Sequence, residues 1–343
     1  MKSCKVKSVK CEVKTTRKKK LMKLFLVLFP ALNLTPYTLN EAFASGKTGA
    51  AFLKVGVGAR PAGMGGAFTA IANDVTAIHW NPAGLTQLSK REISAMHNEW
   101  IGDLRYDFLG YVHPIKSVSS EQLAVNRETI GISVVYLSMG EMERRGERRE
   151  RLSDNFSAYD FATTLTYSRM VGQKTGLGLN LKFIQQKIED ERAFGVAVDL
   201  GTQLKVKSEK VKVGFVIQNL GPKMRFIKES YSLPLTLSGG AGYDFGGVTL
   251  ALDFKHQVID SKTALSLGTE YWPLNIIALR AGYLIRLLDK AYGSDSLEDK
   301  GMGEFNGLGA GLGLRISGYQ LDYSLVPYGD LGQTHRISFS AKF

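Results

Sequence analysis

The chain has only two cysteines, Cys4 and Cys11, both within its first dozen residues. Beyond them no thiol exists to form a disulfide, act as a nucleophile or complete a zinc site. No run of about 20 apolar residues follows the N-terminal segment, so helical membrane spans are excluded there. Glycine is absent from the first 45 residues, and all 37 fall after that point. Acid is scarce at the start as well: residues 1–23 hold ten Lys or Arg against the single Glu12. Without residues 1–44 the chain has 34 basic and 30 acidic residues, a net charge of +4 instead of +12. So small an excess leaves no electrostatic footprint for nucleic acid.

What does stand at the N-terminus is a basic stretch and then an apolar run from Leu24 to Leu34, interrupted by Pro30 and Asn33. Ala42-Phe43-Ala44 follows, a small-residue cleavage pattern. The order of these three parts predicts a secretory signal peptide over 1–44, with Met22 as an alternative start.

Beyond residue 90, apolar residues recur at every second position. Leu177, Leu179, Leu181 and Phe183 alternate with Gly178, Asn180 and Lys182, and Leu250, Leu252 and Phe254 alternate with Ala251 and Asp253. At the C-terminus Ile337, Phe339, Ala341 and Phe343 alternate with Ser338, Ser340 and Lys342. Period two marks strands with one apolar face. Fourteen such segments are expected, near 91–100, 105–115, 128–138, 158–170, 174–187, 193–206, 210–218, 234–244, 247–257, 263–272, 276–286, 306–315, 318–326 and 333–343. Strands apolar on one side and polar on the other, rich in glycine and with no helical span, predict an all-β fold: an antiparallel transmembrane β-barrel at 91–343. Long connections at 139–157, 219–233 and 287–305 would face outward, and short ones inward to the periplasm. The long connection 116–127 breaks this rule, through either a decorated turn or a miscounted strand. Aromatics near strand ends, namely Tyr243, Phe245, Tyr271, Trp272, Tyr319 and Phe343 at one end and Trp100, Tyr106 and Tyr328 at the other, would form two interfacial girdles.

Residues 45–90 differ. Ala59-Arg60-Pro61-Ala62-Gly63-Met64-Gly65-Gly66-Ala67 is built of small residues that permit close backbone approach. Asn73-Asp74 and Trp80-Asn81-Pro82-Ala83-Gly84 follow. Ala67 to Ile71 suits one helical turn or two, and the segment reads as a plug, or hatch, folded into the lumen. Asn81 with Pro82 fixes a turn that would hold the plug's shape.

The run 59–70 with Trp80 to Gly84 resembles the N-terminal region of the PorV/PorQ family, related to the FadL-type fatty-acid transporters, whose hatch carries a similar Asn-Pro-Ala element. The resemblance implies a fourteen-stranded FadL-like barrel with an N-terminal hatch in the bacterial outer membrane. It also implies one of two functions. The first is type IX-like protein secretion or surface attachment of exported cargo, with secreted cargo proteins or secretion-system components as partners. The alternative is transport of long-chain fatty acids or other hydrophobic small molecules. Arg60, Pro61, Gly63, Gly65, Gly66, Asn73, Trp80, Asn81, Pro82, Ala83 and Gly84 carry over as gating candidates. Phe339 and Phe343 resemble the signal read by the barrel-assembly machinery of outer-membrane barrels. Outer-membrane lipid and lipopolysaccharide are the expected surroundings, the latter met by the mixed-charge loop 141–151.

Other patterns fall away on inspection. Gly46-Lys47-Thr48 lacks the first glycine of a phosphate-binding loop, since Glu41 stands there. Gly309, Gly311 and Gly313 are one strand face with no helix after them. His97 and Glu99 share a face without further ligands nearby. No catalytic residue, metal site or cofactor is expected. Asp253, Lys255, Glu270, Arg280, Arg286, Arg315 and Asp322 should face the lumen, with cross-strand pairs such as Glu270 and Arg280 neutralising each other.

Overall fold

In the computed structural model the alternating segments form one closed barrel of fourteen antiparallel strands. They are β1 Glu92–Glu99, β2 Arg105–Lys116, β3 Arg127–Ser138, β4 Ala158–Val171, β5 Thr175–Ile188, β6 Glu191–Val206 and β7 Val211–Leu220, followed by β8 Thr236–Asp244, β9 Val248–Gln257, β10 Lys262–Leu274, β11 Ile277–Leu287, β12 Leu308–Ile316, β13 Tyr319–Pro327 and β14 Gln333–Lys342. The structure describes residues 48–100, 102, 104–116, 127–140, 142–145, 151–206, 210–287, 307–328 and 332–343. The expected signal peptide, Gly46-Lys47, and much of the connections 117–126, 141–151 and 288–306 lie outside them.

Each strand pairs with its sequence neighbours, and β14 closes the barrel on β1 from Glu92↔Lys342 to Glu99↔His335. Closure leaves no strand edge unpaired, as a hydrocarbon surrounding demands. The alternation read in the sequence is the division between outside and inside. Leu179, Leu181, Phe183, Leu250, Leu252, Ile337 and Phe339 lie on the outer face, while Asn180, Lys182, Asp253, Arg336 and Ser338 are buried within. The three longest connections, 139–157, 221–235 and 288–307, lie at one end, here the loop end, and the other is the turn end. β2 pairs with β3 along its whole length, from Arg105↔Ser138 to Lys116↔Arg127. The strand count therefore stands, and the long connection 117–126 belongs to the turn end.

Four aromatics expected in the girdles need correction: Trp100 and Tyr328 line a cavity at the loop end, and two more lie on the inward face of their strands. Tyr106 is fully buried and donates its hydroxyl to the Val55 carbonyl at 3.0 Å, so it packs the lumen and is no girdle residue. Trp272 likewise lines the lumen at the turn end, with the Arg315 guanidinium 4.0 Å from its ring centre. Register explains both, because each falls on the inward phase of its strand. Two short hairpins also occupy connections read as plain loops, Met142–Arg145 with Arg151–Phe156 and Met224–Phe226 with Glu229–Tyr231. At three to six residues they are too short to show a period.

The chain's core is inside the barrel. Residues 48–91 run through the lumen from the loop end, where Thr48 bridges to Ser232 and Gly49 N–H donates to the Ser232 carbonyl. They reach the turn end where β1 begins. Phe52, Val57, Met64, Phe68, Val75, Ile78 and Leu85 of this hatch are buried against the wall. Between 67 and 71 the chain makes a single turn, with Ile71 and Ala72 N–H both donating to the Phe68 carbonyl.

Inward glycines make room for this segment. A Cβ on Gly178 would lie 2.3 Å from the Ala83 nitrogen, one on Gly214 2.5 Å from the Thr69 carbonyl, and one on Gly282 2.0 Å from the Met64 carbonyl carbon. The wall and the hatch thus meet backbone to backbone, without side chains between them. Gly178→Val and Gly282→Val should each unseat the hatch, at a cost of about 1–3 kcal/mol or more. Gly239→Ala, whose Cβ would first meet Phe215 at an ordinary 3.7 Å, should be tolerated. Limited proteolysis of the hatch in barrels that still shift on unheated gels separates the two results.

Candidate functional site

The hatch has little regular structure to satisfy its own backbone. Its helices are one turn each, α1 Ala59–Gly63 and α2 Ala77–Trp80, with 3-10 turns at Ala51–Lys54 and Pro82–Gln87. Buried N–H and C=O groups left unpaired are costly, and the barrel wall supplies the partners. Asp253 Oδ2 accepts from Phe68 and Thr69 N–H at 2.8 and 2.6 Å. Ser338 Oγ accepts from Ala59 N–H at 2.8 Å, and Arg336 donates to the Gly56 carbonyl at 2.8 Å. Gln203 donates to Ala70, Asn180 to Ile78, Gln218 to His79, Ser168 to Pro82 and Thr129 to Leu85. Trp80 Nε1 bonds within the hatch, to the Val57 carbonyl at 2.9 Å.

Asn81 sits at the centre of the second half. Fully buried, it donates Nδ2 to the Thr69 carbonyl at 2.9 Å and to the Thr202 carbonyl of β6 at 3.0 Å. Its Oδ1 accepts from Ala83 N–H at 3.2 Å and so caps the 3-10 turn that Pro82 opens. Proline suits that first position because its missing N–H would find no partner there. Gly84 has no space for a side chain, since a Cβ would lie 2.3 Å from the Ala72 carbonyl oxygen. Asn-Pro-Ala-Gly is therefore a joint between two hatch segments and the wall.

Arg60 anchors the first half. Its Nε and Nη2 donate to the two oxygens of Glu270 at 2.8 Å each, and Nη1 donates to Asn73 at 2.6 Å and Asp74 at 2.8 Å. A fork matched to a carboxylate is the geometry arginine provides and lysine does not. The Phe68 ring lies 5.0 Å from the guanidinium. Glu270 also receives Arg280 at 2.7 Å, and Arg280 reaches Asp322 at 2.8 Å. The expected pair of Glu270 with Arg280 is present as part of a larger cluster that includes the hatch. Burial alone would depress the Arg60 pKa; Glu270 and Asp74 outweigh it and hold the group above its ordinary value, permanently charged. His79, enclosed in the lumen, is shifted the other way, well below the usual imidazole value, by burial and then by the cations Lys182, Lys255 and Arg336.

Two cavities flank the hatch. One of about 530 Å³ opens at the turn end, against Arg60, Asn73 and Asp74. Its charged lining is balanced: Arg60, Lys210, Lys212, Arg315 and Lys342 face Asp74, Glu92, Asp244, Glu270 and Asp322. The other, about 430 Å³, lies toward the loop end against Gly56, Ala62, Gly65, Gly66 and Trp80, with Trp100, Leu284, Leu308, Val326 and Pro327 around it. Leu308 lines this cavity and is also 39% exposed on the outer face, so the wall there is one side chain thick.

Of the sequence-derived candidates, Arg60 and Asn73 meet in one cluster. Pro61, Gly63, Gly65 and Gly66 form the turn between the cavities, packed on β11 and β12. Trp80 faces the loop-end cavity, while Asn81, Pro82, Ala83 and Gly84 pack on β4 to β6 and on Ala72. Phe339 and Phe343 lie outside at the turn end, while their neighbours Ser338, Ser340 and Lys342 line the turn-end cavity. Glu270 as the Arg60 partner and Asp253 as an acceptor for hatch N–H groups were not foreseen; the only sequence signal was their inward phase.

Arg60→Ala should strand Asp74 and half of Glu270, cost about 3–5 kcal/mol as a broken buried pair, and speed hydrogen exchange over 56–66. Arg60→Lys should recover only a minor part of the protection. The His79 shift has a definite sign. Below about pH 6.5 a released hatch takes up a proton that the seated hatch refuses, so seating weakens as pH falls and is insensitive above that value. Hatch protection at pH 5 against pH 7.5, with His79→Gln abolishing the difference, is the check.

A family model described as an uncharacterised protein family (UPF0164) matches residues 36–120. Among solved structures, the P. putida toluene transporter TodX superposes with a TM-score of 0.59 at 14% identity, over 84% of this chain and 99% of that one. The CymD monoaromatic hydrocarbon channel gives 0.56 at 13% identity over 84% and 98% of the two chains. A Pseudomonas aeruginosa FadL homologue gives 0.53 at 12% over the same shares. No curated protein matches the sequence. Likeness at this level is a likeness of fold: the chain is a closed fourteen-stranded β-barrel of FadL-like architecture.

Proposed function

We propose that this protein passes hydrophobic small molecules across the outer membrane, with the hatch as its gate. The observation that carries this reading is the loop-end cavity. It is walled by Trp80, Trp100, Leu284, Val326 and Pro327, rests on the hatch turn Ala62–Gly66, and touches the lipid-facing surface through Leu308. Apolar and aromatic concavity with a few polar groups is the ordinary character of a small-molecule site. The neighbouring folds, a toluene transporter and a monoaromatic hydrocarbon channel, support the same class of cargo.

The proposed gate works through the hatch. A molecule in the loop-end cavity presses on Trp80 and on the Gly65-Gly66 turn. Moving them breaks the Trp80 bond to Val57 and strains α1, which carries Arg60. Release of Arg60 from Glu270 opens the way to the turn-end cavity, where balanced charge and water accept the freed groups. The secretion or surface-attachment reading draws on the resemblance of Ala59 to Gly84 to PorV/PorQ proteins. It gains no further support from the lumen, which the hatch fills between the cavities.

A reversible lock tests the gate. A Cβ on Gly63 would lie 3.0 Å from the Gly311 Cα, and one on Gly311 3.2 Å from the Gly63 Cα, close enough for a bridge after slight adjustment. No native cysteine lies beyond Cys11. With Gly63→Cys and Gly311→Cys together, oxidation should stop uptake of a labelled apolar solute into proteoliposomes, and reductant should restore it. Undiminished uptake through the oxidised barrel would refute the gate.

A further inference from the structure

The two cavities differ in charge. The turn-end cavity is balanced, five cations to five carboxylates, whereas Lys54, Lys255, Arg286 and Arg336 line the loop-end cavity and no Asp or Glu does. Lys54 is neutralised by Asp260. Asp253, two residues from Lys255, accepts the Phe68 and Thr69 N–H groups on Oδ2 and leaves Oδ1 without a hydrogen-bond partner, so its charge also acts on Lys255. Lys255 and Arg286 make no ion pair or hydrogen bond among the described residues. Arg336 spends one nitrogen on the Gly56 carbonyl, while its Nε, on a residue only 5% exposed, has no partner. Among the described residues, Arg286 and Arg336 therefore stand without a matching acid beside one apolar, aromatic cavity, and Lys255 shares Asp253 with two backbone N–H groups.

Arg286 is exposed, but Arg336 is buried, and uncompensated charge there is costly until a counter-anion removes the cost. A single carboxylate would leave one of the two arginines unmatched. A phosphate monoester carries a charge of about −1.5 to −2 at pH 7 and three acceptor oxygens, suited to arginine forks. We infer that the loop-end cavity binds amphiphiles with a phosphate headgroup, the phosphate held among Lys255, Arg286 and Arg336 and the chain against Trp80, Trp100 and Leu308. This names the ligand class of the transport site and rests on that reading. It differs from the neutral hydrocarbons of the neighbouring folds and from a simple carboxylate.

The test uses the whole mature protein in nanodiscs at pH 7.5, read by tryptophan fluorescence against empty nanodiscs. Dodecyl phosphate, dodecanoate, dodecanol and inorganic phosphate are titrated separately. Dodecyl phosphate should bind about tenfold more tightly than dodecanoate, the increment of a charge-assisted bond. Arg286→Gln, at the open side of the cavity, and Lys255→Met should each erase most of that preference, weakening dodecyl phosphate far more than dodecanol. Equal binding of the phosphate and the carboxylate overturns the headgroup inference while the transport reading survives. Failure of every chain to bind refutes both. Inorganic phosphate binding as tightly as dodecyl phosphate marks a free-anion site and overturns the amphiphile inference. The unheated gel shift confirms that each variant is folded before it is scored.

Discussion

The structure depends on a hydrogen-bonding constraint: an irregular segment enclosed in a barrel must find partners for its backbone. The hatch has four turns of helix at most, so the majority of its N–H and C=O groups turn to the wall. Among the described residues, ten of the fourteen strands, all but β8, β11, β12 and β13, offer it a side-chain bond. This explains why the lumen is lined with Asn, Gln, Ser, Thr and Asp rather than with an ordered salt lattice. It also explains why the polar phase of each strand cannot be exchanged freely for any other polar residue.

Three of the four remaining strands meet the hatch in another way. β8, β11 and β12 present Gly242, Gly282, Gly309 and Gly311 to Ile71, Met64 and the Ala62-Gly63 turn. Close packing replaces hydrogen bonding there, and dispersion contacts hold the hatch on that side. The glycine-rich side is also where α1 lies between the two cavities. A wall that offers space but few directed bonds is the easier one for a hatch to slide along. The Arg60 fork on Glu270 then supplies the directional hold that this side otherwise lacks.

Charge divides the lumen as sharply as shape does. Toward the turn end, acids and bases neutralise one another around Arg60, Glu270, Arg280 and Asp322. Toward the loop end, among the described residues, cations outnumber acids around an aromatic pocket. The hatch lies at the boundary. The positive pocket and the Arg60 cluster on the neutral side both touch the same short helix.

Much of this was legible in the sequence. Period-two alternation located all fourteen strands to within a few residues, because a membrane barrel must separate lipid-facing from lumen-facing side chains at every step. The small residues of 59–85 marked the hatch, and the Asn81-Pro82 pair marked its joint. What alternation could not say is which inward residues meet: Glu270 is 210 positions from Arg60, and only barrel closure and strand stagger bring them together. Tyr106 and Trp272 show the same limit, since an aromatic near a strand end belongs to the interface or to the lumen according to its phase. The sequence by itself determined the barrel, its inside and outside, and the presence of a plug, since these follow from local periodicity and composition. The tertiary structure alone decided the Arg60 latch, the glycine side and the cationic pocket, since each is built from distant strands brought into register.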